Sequence, residues 1–314
     1  MVNSSDSTGA VRVCAVDIGT NSVRSIVADV RPPSLVEVVG YDGLITRLGE
    51  GLEASGRLKA EAIQRTASTA AEYVERGRQL GATAFKLVAT SAARDAENAD
   101  ELLQAIRNAS GLEAEITSGR REAELVLAGV RTGGMLRGRA TALIVDVGGG
   151  STELIACSPR KPPEMLSVDL GAVRLTEQSL VADPPTEDEI QAASRAAKEL
   201  LGPVIAKHDA ADVIGLGGTI TTMAAMRLVL DEYDPARVHG YRLTLDEVGA
   251  LLSRSTAMPL EARQRLAGLE PGRADIIVAG IIIVRAILQL AGSDALRVST
   301  TGILHGIALA AATG

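Results

Sequence analysis

Three short runs of β-branched and aliphatic residues, 11–16, 23–30 and 35–41, open the chain and are parted by Gly-Thr-Asn-Ser and Arg-Pro-Pro. Apolar runs bounded by turn formers predict strands, here an antiparallel meander. Over residues 60–76 the period changes: Ile63, Ala67, Ala70, Ala71 and Val74 share one helical face, and Gly81 lies beyond the end. That helix is followed by an expected strand over 85–89, a helix over 96–109 stopped by Gly111, a strand over 114–117 and a helix over 120–130. The opening pattern then returns within 139–155, an apolar strand running into Asp-Val-Gly-Gly-Gly-Ser-Thr and a second strand, and 165–170 completes another meander. This is an internal repeat of architecture. Beyond it the pattern predicts a helix over 186–206 begun by the capping box Thr186 and Glu189, a strand over 212–215 and a helix from about 219 to 230. A second box, Thr244 and Glu247, opens a helix through 254. A turn of helix near Leu260, a long helix over 274–291, a strand over 296–299 and a last helix from about Gly302 complete the reading.

At 314 residues the chain exceeds the usual size of one core, which predicts two domains and a cleft between them. Residues 132–139 hold Gly133, Gly134 and Gly138, the natural hinge. The expected division is 11–131 joined by 301–314 for the first domain and 132–300 for the second. Composition and charge then remove several functions. A net charge of −7 argues against a nucleic-acid polymer as partner, because such proteins hold a basic face to backbone phosphates. Phe85, Tyr41, Tyr73, Tyr233 and Tyr241 are the whole aromatic set, too few to stack bases along a strand. Cys14 and Cys157 sit apart in apolar runs, as buried free thiols of a reducing compartment do. Residues 1–10 lack the basic start and apolar stretch of a signal peptide and are expected to be a floppy leader. The run 276–292 is broken by Arg285 and Gln289 and is shorter than the ~20 residues of a membrane span, so it predicts a core helix. The expectation is a cytoplasmic protein with no membrane partner.

Candidate chemistry lies in three glycine-rich turns. Asp17-Ile18-Gly19-Thr20-Asn21-Ser22 joins two strands, and Asp146-Val147-Gly148-Gly149-Gly150-Ser151-Thr152 does so again in the second half. In each, a carboxylate ends an apolar strand, glycines admit an anion to the backbone, and hydroxyls with amide N–H groups can cradle phosphate oxygens. One such loop reads as a plain hairpin. Two copies, each with the strand-terminal Asp and hydroxyl residues, point to phosphate. The third turn, Gly215-Leu216-Gly217-Gly218-Thr219-Ile220-Thr221-Thr222, leads a strand into a helix whose free N–H groups favour an anion.

Together these turns resemble the two phosphate motifs and the adenosine motif of the actin, Hsp70 and sugar-kinase superfamily. The match is closest to the exopolyphosphatase and guanosine pentaphosphate phosphohydrolase family, which the chain resembles over nearly its full length. Besides the loops, the residues that carry it are Val23-Arg24, Ala89 to Asn98, Ser118-Gly119-Arg120-Arg121-Glu122-Ala123, Leu170 to Glu177 and Arg273-Ala274-Asp275. Ending at Gly314, the chain resembles the short, two-domain members that lack a C-terminal HD-type domain. With His208, His239 and His305 as its only histidines, it offers no histidine metal site. The implied fold is α/β, two ribonuclease H-like domains of the actin-like ATPase type around an interdomain cleft.

The resemblance also implies roles. Glu122 stands where the catalytic base is expected, flanked by Arg120 and Arg121. Asp146 and Glu153, joined by Asp17, are implied to hold Mg²⁺, an ion that keeps several waters and prefers carboxylates plus phosphate oxygens. Gly148 would bring the backbone to the phosphate. Gly19, Thr20, Asn21, Ser22, Gly149, Gly150, Ser151, Thr152, Gly217, Gly218 and Thr219 would supply neutral donors, and Arg94 would contact phosphate through its paired N–H groups. Arg120, Arg121, Arg131, Arg137 and Arg139 form a local basic strip near the hinge, which reads equally as a solvated face. Two positions depart from the family pattern: Arg121 replaces an acid before the base, and Thr301 to Gly306 replaces a Gly-x-Arg-Glu-Gly ending. The expected activity is Mg²⁺-dependent hydrolysis of the terminal phosphate of inorganic polyphosphate. Hydrolysis of guanosine pentaphosphate, a sensing module without turnover and a sugar kinase stand as alternatives, and superfamily habit extends the expectation to a homodimer.

Overall fold

The computed structural model of the protein describes residues 9–137, 141–159, 161–207 and 212–313. Most of the expected leader, Gly138 and Arg139 of the expected hinge, and His208 lie outside them. The first lobe is built from β1 (Val11–Ile18), β2 (Ser22–Arg31), β3 (Ser34–Ile45), α1 (Leu52–Ser55), α2 (Ala60–Gln79), β4 (Ala84–Ala89), α3 (Ser91–Asp95), α4 (Ala99–Ser110), β5 (Ala114–Ile116) and α5 (Gly119–Thr132). The second carries β6 (Ala142–Val147), β7 (Thr152–Ser158), β8 (Lys161–Val168), α6 (Ala172–Ser179), α7 (Glu187–Ile205), β9 (Val213–Leu216), α8 (Gly218–Leu228), α9 (Pro235–Val238), β10 (Arg242–Thr244), α10 (Leu245–Thr256), α11 (Leu260–Arg263), α12 (Ile277–Leu290) and β11 (Ala295–Val298). The chain closes with α13 (Ile303–Ala311).

The repeat read from the sequence is a repeat of topology. One sheet runs β3-β2-β1-β4-β5, the other β8-β7-β6-β9-β11 with β10 added at its edge. In both, an antiparallel meander supplies three strands and the strand after the first crossover pairs parallel with the meander's first strand. This is the expected two-lobed α/β fold. Helices α2 and α4 bury Ile63, Ala67, Ala70, Leu102 and Ile106 against the outer face of the first sheet. The corresponding layer of the second lobe centres on α12, which is buried except at Arg285 and along its last turn at Gln289 and Leu290, and so behaves as a core helix. Between the sheets a third cluster joins Ala15 and Ile26 of the first to Ile144 and Ile214 of the second through Val126 of α5 and Ile307 of α13. Burying apolar surface on both sides of α5 and α13 makes this pair the common floor of the cleft. Among the described residues no helix is long and apolar enough to cross a membrane, and Cys14 and Cys157 are free.

Candidate active site

The repeat builds the site. Pairing of β1 with β2 sets Asp17 opposite Arg24, and pairing of β6 with β7 sets Asp146 opposite Glu153. One hairpin therefore closes on an ion pair, Arg24 Nη2 donating to Asp17 Oδ2 at 2.6 Å. The other closes on two acids, a like-charge cross-strand pair that costs stability and marks a functional position. The loops share an internal bond: Gly19 N–H reaches the Ser22 carbonyl and Gly148 N–H the Ser151 carbonyl, each at 3.0 Å. The third turn enters from β9 through Gly217, whose φ of 91° is left-handed, and a Cβ there would stand 2.5 Å from an Asp146 carboxylate oxygen. Only glycine fits, and it delivers the start of α8, which has no side-chain cap, to the cleft with its amides free.

A single cavity between the sheets is lined by Asp17, Gly19 to Ser22, Glu122, Asp146, Gly148 to Ser151, Glu153 and Gly217 to Thr219. Arg24, Thr90, Ser91 and Arg273 also line it, and the sequence reading had given these no role. Glu122 comes from the first turn of α5, where Ser118 caps the helix by accepting the Arg121 N–H. Its carboxyl is buried and pushed up to about 7, by burial first and then by Asp17 and Asp146, while Arg94 pulls it down. Asp146 is raised to about 6, by burial and by Asp17, against the pull of Arg24. Glu153 is raised well above the carboxylate range by burial and by repulsion from Glu122 and Asp146, which the Ser167 and Ser151 hydroxyls only partly offset.

Two residues predicted to contact phosphate are engaged by the protein itself. Arg94 stands behind Glu122: its Nη1 donates to Glu122 Oε2 at 3.1 Å and to the Thr117 carbonyl at 2.9 Å, while its Nη2 is buried without a hydrogen-bond partner among the described residues. Thr152 is fully buried and its hydroxyl donates inward to the Leu170 carbonyl at 2.6 Å. It is a structural clamp between β7 and the start of α6, because a strand position next to the loop faces the core. The flanking arginines also turn away from Glu122: Arg120 and Arg121 both pair with Glu124, at 3.6 and 3.0 Å. The Asp17, Asp146 and Glu153 set does not form a direct metal cage, since among the described residues no three His, Cys, Asp or Glu side chains converge as ligands. The cavity gathers four carboxyls, Asp17, Glu122, Asp146 and Glu153, with Arg24 and Arg273 on its walls and Arg94 behind it.

Comparison with known proteins agrees with this geometry. The model of the Ppx/GppA phosphatase family matches residues 26–313. Exopolyphosphatase 2 of Mycobacterium tuberculosis is 37% identical over 96% of this chain and 98% of its own length. Among solved structures, the Aquifex aeolicus PPX-GPPA enzyme superposes with a TM-score of 0.80 at 34% identity, covering 96% of this chain and 99% of that one. An exopolyphosphatase-like protein superposes with a TM-score of 0.88 at 31% identity, covering 96% and 98%.

Proposed function

The chain belongs to the Ppx/GppA phosphatase family, and within it we propose an exopolyphosphatase that removes the terminal phosphate of linear inorganic polyphosphate. The observation that carries the proposal is Glu122, a buried carboxyl poised near neutrality in the same cavity as two phosphate loops from opposite lobes. A general base is most effective when its pKa lies near the working pH. Water held by Glu122 attacks the terminal phosphorus and passes its proton to the carboxylate; the bridging P–O bond breaks, and the chain leaves one phosphate shorter. The loop amides with Thr20, Ser22 and Ser151 hold the phosphoryl oxygens, and the free amides of α8 face the same anion. The raised carboxyls Asp146 and Glu153, with Asp17, fit a divalent cation held partly through its own water, and Mg²⁺ is the ion whose chemistry matches that set; bound there it would neutralise the phosphoryl charge.

One observation favours the alternative substrate, guanosine pentaphosphate. A neighbouring cavity shares Arg24 and Asp146 with the site and is walled by Ile26, Leu216, Ile303 and Leu304, surfaces suited to a purine. The test is phosphate release, with and without Mg²⁺, from polyphosphates of graded length, ATP and guanosine pentaphosphate. Release from polyphosphate at the highest kcat/KM supports the proposal. Release confined to the alarmone transfers it to the alternative, and no release from any of them refutes both.

A further inference from the structure

We propose that Arg174 is a positioning residue that latches the two lobes shut, fixing the second phosphate loop against two carboxylates of the first lobe. The start of α6 is bound to that loop. Ala172 N–H donates to the Gly148 carbonyl at 2.9 Å, Val173 N–H to the Gly149 carbonyl at 2.8 Å, and Arg174 Nε to the Gly150 carbonyl at 3.0 Å. With these carbonyls occupied, the loop's amides stay turned to the cleft, and α6 moves as the loop moves. The same guanidinium then crosses the gap: Nη1 donates to Glu53 Oε2 and Nη2 to Asp95 Oδ2, each at 2.5 Å. Asp95 also accepts from Ser91 Oγ at 3.2 Å, and Ser91 lines the catalytic cavity.

Two neighbours reinforce the crossing, Gln178 donating to Glu53 Oε1 and Gly51 N–H to Glu177 Oε1, both at 2.8 Å. The guanidinium is 17% exposed and its partners 32% and 28%, so the network is shielded beyond an ordinary surface pair. Contact between the lobes is close at this point, since a Cβ on Gly150 would stand 2.4 Å from Ser91 Oγ. Arginine suits the task because its planar fork offers three aimed donors, whereas lysine is a single point charge. On the opposite flank Arg47 reaches Asp275 and the Gly272 carbonyl, so loss of Arg174 frees one side of the cleft only.

The effect on turnover rests on the proposed hydrolysis, while the closure itself does not. The test places nitroxide labels at Q104C on α4 and Q191C on α7, both exposed, with Cys157→Ser, and measures the interlobe distance by pulsed electron resonance beside kcat and KM on polyphosphate. Arg174→Ala is expected to lengthen and broaden the distance distribution and to lower kcat/KM at least 30-fold, with Arg174→Lys between it and the wild type. The double variant Glu53→Gln/Asp95→Asn keeps the bond to Gly150 and is expected to reproduce both changes, which separates a latch from a mere support of the loop. A wild-type distance distribution in either variant, or wild-type kcat/KM in the double variant, overturns the proposal. Should the wild type release no phosphate from polyphosphate, the functional reading falls and the distance measurement still judges the latch.

Discussion

Replacing Glu122 by Gln removes the proposed base while leaving an oxygen to accept from Arg94, and the structure sets the size of two opposite effects. Loss of a positioned general base lowers kcat by about 10²- to 10⁴-fold, roughly 3 to 5 kcal/mol of barrier. Stability moves the other way. The carboxyl rises from 4.5 to about 7 on folding, chiefly through burial, so the native state binds the proton more tightly than the unfolded chain. Its contribution is complete below pH 4.5 and is lost as pH climbs to 7, a difference of about 3 kcal/mol. At pH 8 the Gln variant is therefore expected to be slow and yet more resistant to urea than the wild type. The wild type's kcat should climb tenfold per pH unit up to about 7 and then level, and Arg94→Gln should move that limb to higher pH. Steady-state phosphate release from pH 5.5 to 8.5, with urea melts at pH 5 and 8, measures all of this. A Gln variant within threefold of wild-type kcat would refute the reasoning.

Other outcomes follow from single contacts. Thr152→Val leaves the buried Leu170 carbonyl without its donor and should cost about 1 to 3 kcal/mol in urea melts with kcat/KM little changed; a collapse of kcat at unchanged stability would return the hydroxyl to the substrate. Gly129→Ala in α5 would place a Cβ 1.8 Å from the Gly302 carbonyl beside α13, and should destabilise by about 2 kcal/mol despite alanine's better helix propensity, read as a lowered Tm. His305 is pushed down to about 4 by burial and by His239, so its neutral form supports the fold above pH 6.5 and that support is lost as pH falls to 4. The loss is about 3 kcal/mol, and His305→Gln should flatten the fall in urea midpoint between pH 7 and 4.5.

The elements easiest to read in the sequence were those that bury a continuous face. The two meanders, α2, α7 and α12 each show their period, and the capping boxes at Thr186 and Thr244 fixed two helix starts. Helix α6 went unread because it buries only Ala172 and Leu175 and begins on bonds to the glycine loop, which no local period announces. The helix expected over 96–109 begins only at Ala99, as α4, because Ala96 is extended and the Asn98 side chain is bonded to Leu58, and the short α3 before it went unread. The site was legible through its glycine loops and acids, less so through its arginines. Arg120 and Arg121 flank Glu122 in the chain, yet on a helix adjacent residues face apart while positions three and four away meet, which sends both to Glu124. The same geometry was available for Arg24, since a tight turn after Asp17 puts it directly across the hairpin.

Helix α5 makes the chemistry sensitive to the whole molecule. Glu122 stands in its first turn, while its far end is pressed on the chain that enters α13: a Cβ on Gly129 would meet the Gly302 carbonyl and one on Gly133 the Thr301 hydroxyl at 2.3 Å. With a rise of about 1.5 Å per residue, the proposed base lies roughly 10 Å from the Gly129 contact. Rotation of one sheet on the other by about 5° around it displaces Glu122 from Asp146 and Glu153 by ~0.9 Å, a shift of the size that can cost two orders of magnitude in rate. The polar crossings near the cleft mouth, Arg174 with Glu53 and Asp95 on one flank and Arg47 with Asp275 on the other, act at the long end of the lever, where a small restraint has the most effect. The glycines at the floor and the arginines at the rim are thus two parts of one requirement, that a base from one lobe keep its place against acids from the other.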